Sequence, residues 1–236
     1  MTSRRLPETD IANICTLPEN EQRFRLSAKR SFVPPYSLEH TRRNLSSLFG
    51  VKSPLCPDVE VDDRKTVEAL MRCCKKESEA LANANRASAI IDFRDANVGK
   101  SVVGAMRSHR VTLDNSICLT HSLALEIGGK GYIPFLDLRK TGNLSSRARD
   151  FVFSMNYHLL IDSDPTYENF GLLVLNYWEK SSSENGLTPY FFDGNPKYSY
   201  DDLSNMIART YEIWLDILAE RKRQEPGKDT MGPLFG

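Results

Sequence analysis

The stretch that most restricts the fold runs from Ile117 to Lys180 and reads strand, glycine turn, strand, helix, strand. Leu123, Leu125 and Ile127 alternate with small or polar residues ahead of Gly128-Gly129-Lys130-Gly131, a run suited to a tight hairpin because glycine accepts positive φ without steric cost. After the turn, Ile133–Leu138 is apolar until a charged group ends it, and Asn143–Ser146 offers caps for a helix reaching about Asp162. Phe151, Val152, Phe153, Met155, Tyr157, Leu159, Leu160 and Ile161 cover most faces of that helix, so it is expected to be buried, with His158 a hydrogen-bonded core residue. Phe170–Trp178 is long and apolar enough for an interior strand, and Leu187–Gly194 reads as its antiparallel neighbour. Together these elements predict an α/β (α+β) domain with a mixed β-sheet flanked by helices.

The rest of the chain divides around that core. Residues 1–60 hold six of the twelve prolines (7, 18, 34, 35, 54 and 57) and are expected to form an irregular arm with one short helix over Leu38–Phe49. From Val61 the pattern turns helical: Asp62 or Asp63 caps, and Val67, Leu70, Met71, Cys74, Leu81 and Ala84 recur at three and four, with Glu77 inside the stripe. The α/β core is expected over 61–222. Ser199 with Asp202 forms a capping arrangement for a helix burying Leu203, Met206, Ile207, Tyr211, Trp214, Leu215 and Leu218. Residues 223–236 read as a flexible tail, polar and Pro/Gly-bearing.

Several function classes are excluded or disfavoured. No apolar run approaches the roughly 20 residues of a membrane helix and Met1–Asp10 is polar, so a cytoplasmic, bacterial protein with no membrane partner is expected. Five cysteines (15, 56, 73, 74 and 118) fit neither a disulfide framework nor metal spacing. A net charge of zero argues against wholesale polyanion binding, yet Arg94–Arg149 carries nine Lys/Arg against four acids, which suits a phosphate-bearing ligand as well as an ordinary charged surface. Within that basic half, Asn97-Val98-Gly99-Lys100-Ser101 matches the end of a GTPase phosphate loop, where Lys100 would neutralise phosphate and Ser101 hold magnesium. Arg94 stands where that loop needs its first glycine, and the alternative is a glycine-interrupted helix ending.

The polar group after the apolar strand carries the main functional expectation. Glu126, Asp137, Arg139 and Lys140 fall close together, and Asp137 with Lys140-Thr141-Gly142 resembles the Asp-x-Lys-Thr-Gly strand ending of RecB-like members of the PD-(D/E)xK nuclease superfamily, with one extra residue between acid and lysine. The element order from Val61 to Arg221 also resembles that superfamily. The resemblance implies magnesium-dependent phosphodiester hydrolysis on DNA, with Glu126, Asp137 and Glu77 as metal ligands and Lys140 or Arg139 steadying the attacked phosphate. Arg139 shares a strand face with Asp137 unless a bulge restores Lys140. The alternative is a strand-end salt-bridge cluster with no reaction to perform.

A second expectation is a binding protein. Asn44, Leu45, Leu48 and Phe49 in NLSSLF, and Met231, Leu234 and Phe235 in MGPLF, resemble peptides that bind the bacterial replication sliding clamp, whose consensus is a Gln followed by aliphatics and a Leu-Phe end; neither copy has the Gln, and Asn44 is the nearest substitute. That resemblance implies a non-enzymatic protein that seats two apolar anchors in a groove of the clamp and inhibits or modulates DNA replication.

Overall fold

The computed structural model of the chain describes residues 6–29, 38–51, 61–98, 109–113, 117–121, 123–181, 184–192 and 194–224. Its centre is the predicted glycine hairpin. Gly128 and Gly129 take φ of 59° and 80°, the positive values a two-residue turn needs, and join β3 (Leu125–Ile127) to β4 (Lys130–Asp137) with Ile127 opposite Lys130. α7 (Ser146–Asn156) then crosses over to β5 (Gly171–Ser181), which pairs parallel with β4, and β6 (Glu184–Phe192) returns antiparallel to β5. The four strands lie in the order β3-β4-β5-β6, so the sheet is mixed as expected. Gly171 is required by packing: a Cβ there would meet the Tyr132 ring at 2.4 Å. Pro189 sits on β6, an edge strand, where a missing amide donor is tolerated. Two further strands, β1 (His109–Leu113) and β2 (Ile117–His121), pair only with each other. Among the described residues β3 and β4 are the strands of the main sheet that precede α7, and the element order of the nuclease resemblance is not reproduced there.

Strand periodicity divides the side chains between two cores. Ile133, Leu172 and Val174 face a layer containing α1 (Glu8–Cys15), α2 (Glu19–Ala28), α7 and α8 (Tyr200–Gln224), where Ile11, Leu26, Phe151, Met155, Ile207 and Trp214 are buried. Tyr132, Leu173 and Leu175 face the opposite layer: α3 (Glu39–Arg43), α4 (Leu45–Leu48), α5 (Asp63–Arg72) and α6 (Glu77–Asn97), which contributes Leu48, Phe49, Leu70, Ile90 and Phe93. α7 widens into a π-helical turn, Tyr157–Ile161, and the half-buried His158 has its Nε2 3.0 Å from the Tyr198 carbonyl oxygen, a hydrogen bond as expected but at the edge of the core. The Ser199 hydroxyl accepts from the Asp202 amide at 3.1 Å while the Asp202 carboxylate accepts from the Ser199 amide at 3.2 Å, the reciprocal cap predicted for α8.

Three sequence readings need correction. The N-terminal region is not an arm with one short helix; α1 and α2 are additional helices, Ile11, Ala12, Ile14 and Leu26 enter the first core, and the Leu38–Phe49 helix is split into α3 and α4. Prolines obscure these helices because Pro7 and Pro18 occupy the N-cap positions of α1 and α2, where the missing amide interrupts no intrahelical hydrogen bond. The helical stripe from Val61 is two helices: Lys76 is extended (φ −131°, ψ 146°), Cys73 and Cys74 fall in the connector, and Glu77 and Glu79 open α6 where the helix dipole favours acids. Finally, α6 continues to Asn97, so the residues leading into Gly99-Lys100-Ser101 are helical rather than a phosphate-loop approach; Lys100 and Ser101 lie outside the described residues. Among the described residues no helix is long and apolar enough to cross a membrane.

Candidate functional site

Charged side chains gather at the carboxyl ends of β4 and β5 in two groups. In the first, Asp137 is fully buried and its carboxylate accepts both arms of the Arg139 guanidinium at 2.7 Å each, plus the Leu144 amide at 2.9 Å. β4 ends at Asp137, so Arg139 reaches it by folding back from the following loop rather than from a shared strand face. Arg139 extends at 3.4 Å to Asp10 on α1, which also pairs with Lys29 beyond α2. Asn13 fixes the same loop: its amide donates to the Gly142 carbonyl at 3.2 Å and its oxygen accepts from the Ser145 amide at 3.0 Å.

In the second group Glu179, near the end of β5, accepts from Lys140 Nζ at 3.0 Å and from the Tyr177 hydroxyl at 2.9 Å, and lies 3.8 Å from the Arg86 guanidinium. Arg86 is 1% exposed, donates to the Leu138 carbonyl at 3.0 Å and the Ala82 carbonyl at 2.8 Å, and stacks 4.4 Å from the centre of the Tyr177 ring. Burial raises the Glu179 carboxyl, but the hydrogen bonds from Lys140 and Tyr177 and the charges of Lys140 and Arg86 together hold it below its ordinary value. Glu179, Arg86 and Asp10 were not singled out in the sequence. Glu179 lies in a polar strand ending, and Arg86 is an isolated cation in the alanine-rich run LANANRASA, a composition that signals close helix packing.

The expected metal ligands are not brought together. Glu126 is opposite Gly131 in the hairpin, six residues along β4 from Asp137, about 20 Å at the rise of a strand. Glu77 is exposed on the first turn of α6, nine residues or about 13 Å along the helix from Arg86, the residue that touches the β4 end. Asp137 is already saturated by Arg139 and the Leu144 amide, and Lys140 is engaged by Glu179 rather than by Asp137. No group of three metal-capable side chains occurs among the described residues. The arrangement fastens loop, strand and helix; it does not present convergent oxygen ligands for magnesium.

The two clamp-like peptides stand differently. Met231, Leu234 and Phe235 lie outside the described residues. Asn44 and Leu45 are half-buried, whereas Leu48 and Phe49 are 0% exposed and pack with Leu70, Ala87, Ile90 and Phe93. The second core therefore uses the Leu-Phe pair that the resemblance assigns to a partner's groove. Two polar contacts hold the segment on α6. Thr41, itself 0% exposed, donates from its amide (3.1 Å) and hydroxyl (2.7 Å) to the Asn83 side-chain oxygen. At the other end Arg94 donates to the Leu48 carbonyl at 3.1 Å while forking onto Asp63 at 2.9 and 2.7 Å. The hydrogen bonds that Arg94 donates to Asp63 and Asp95 raise its pKa further against the opposing effect of its partial burial.

The family described as sliding clamp-binding bacterial toxin SocB matches residues 9–224 of this chain. A protein of Caulobacter vibrioides (strain NA1000 / CB15N) described as DNA replication inhibitor toxin SocB is 25% identical to it over 234 residues, spanning 98% of each chain. No solved structure matches the chain.

Proposed function

The chain belongs to the SocB family of sliding clamp-binding bacterial toxins, and from that premise we propose that it docks on a bacterial sliding clamp and thereby inhibits DNA replication. The observation that carries this reading is the family match over 9–224, reinforced by a replication-inhibiting relative aligned along nearly its whole length. The docking element is the segment Asn44–Phe49. It lies inside the matched residues, whereas Met231–Phe235 lies beyond them. Its chemistry is that of a groove-binding peptide: Leu48 and Phe49 are adjacent apolar anchors, Leu45 a third, and Asn44 a polar residue that sets register. A groove filled by such a peptide is closed to any other protein that uses it, which turns binding into inhibition without a chemical step.

A labelled peptide of residues 43–51 tests this against purified sliding clamp. Saturable binding is expected, with displacement by the full chain and loss when Leu48 and Phe49 are both replaced by Ala. The chain lacking 225–236 is expected to bind as the full chain does. Absence of binding by both peptide and chain would remove the proposal, and binding lost with 225–236 would move the docking element to the tail.

A further inference from the structure

The docking peptide is folded into the core that it must leave in order to dock, and the contacts that hold it there are few and identifiable. We infer that residues 38–51 act as a latched segment, in which the Thr41–Asn83 and Leu48–Arg94 contacts set the fraction of molecules presenting Leu48 and Phe49 to the clamp. This rests on Asn44–Phe49 being the docking element.

The argument starts from length. α3 spans five residues and α4 four, far below the dozen or more an isolated helix needs, so neither persists without its tertiary contacts. Those contacts are of two kinds. Leu48 and Phe49 supply the apolar contact, and they are the same side chains that a partner groove would take, so burial in the core and burial in the groove are mutually exclusive uses of one surface. Polar groups supply the placement. The Asn83 oxygen accepts twice from Thr41 within a fully buried pair, and its amide donates to the Glu79 carbonyl at 2.9 Å, which orients it. Arg94 collects the Leu48 carbonyl, Asp63 of α5 and Asp95 of its own helix, with its side chain against Gly50. A buried polar pair adds little net stability while both members are present, but removing one leaves the other unsatisfied in the closed form, where water does not reach it as it does in the open form. The first core does not include the segment: Phe151, Val174 and Trp214 lie across the sheet from it. Apparent affinity for the clamp is the intrinsic affinity of the open segment scaled by the open fraction, so loosening the latch strengthens binding.

The test compares the full chain with Asn83→Ala and with Thr41→Val for binding to the purified clamp, using peptide 43–51 as the reference for intrinsic affinity. Each variant is checked for a cooperative melt. Thr41→Val removes one hydroxyl with little change in volume and carries the test should Asn83→Ala fail to fold. The latch predicts clamp binding roughly five- to tenfold tighter in the variants. Folded variants that bind like wild type, or more weakly, would overturn the latch while leaving docking intact. Absence of binding by peptide and wild type alike would overturn docking and the latch with it.

Discussion

The two sides of the sheet are built from the same alternating strands yet closed by different means. On the first side α1, α2, α7 and α8 seal a mainly apolar core in which the buried Thr210 hydroxyl of α8 donates to the Gln22 side chain of α2; Arg209–Glu19 and Arg23–Glu220 tie the same two helices at the surface, and the buried Asp137 with Arg139 and Asp10 ties the sheet end to α1. On the second side the cover includes two helices too short to stand alone, and polar groups penetrate it: Thr41 with Asn83, and Arg86 with Tyr177 and Glu179. Apolar packing anchored on the 25-residue α8 and shared among four helices opens only with the whole molecule. A short cover placed by a few polar contacts opens locally, at a lower free energy than global unfolding. The difference makes the second side the one able to give up a peptide.

The largest effect separating the sides is expected from Phe151→Ala, which empties a fully buried position in the first core and lowers global stability by about 3–5 kcal/mol in denaturant melts. A smaller loss would mean that this side is not the cooperative unit. Asp137→Asn follows, at roughly 2–3 kcal/mol, because the Arg139 fork and the Leu144 amide lose a charged acceptor. Urea titration reads this directly, and an unchanged midpoint would deny the cluster its fastening role.

Acid sharpens the comparison. Glu179 is held ionised in the folded chain to lower pH than its ordinary 4.5, so the unfolded chain takes up its proton first as pH falls. Its contribution is complete above that value and is lost as pH drops through the folded value. Glu179→Gln is expected to flatten that part of the stability profile, and an unaltered acid limb would contradict the Lys140–Glu179–Arg86 linkage. The smallest effect is assigned to Ser199→Ala: about 1 kcal/mol from loss of the α8 cap, seen as faster amide exchange in the first turn of α8.

Much of the fold was legible because the relevant signals are local. Gly128-Gly129 admits few conformations besides a tight hairpin, Ser199 and Asp202 cap reciprocally, and the apolar run at Phe170–Trp178 suits a strand covered on both faces. The helices at Glu8 and Glu19 were obscured because proline is read as a breaker, although at an N-cap its missing amide costs the helix no hydrogen bond. The candidate metal ligands are spread along the sheet for a reason no spacing rule reveals: the register that pairs Glu126 with Gly131 places it at the far end of β4 from Asp137. Burial of Leu48 and Phe49 was equally hidden, since a Leu-Phe pair has the same sequence in a core as on a docking surface. Which of the two it serves depends on partners contributed by α5 and α6, dozens of residues away.

Hydrogen exchange of the full chain with and without saturating sliding clamp tests the central claim most directly. The account predicts that clamp binding speeds exchange in α5 and in the part of α6 that Leu48 and Phe49 cover, around Ala87–Phe93, and leaves α7 and α8 unchanged. Exchange in α5 and α6 that is the same with and without bound clamp would contradict it, because the Leu-Phe pair would then have stayed in the core throughout.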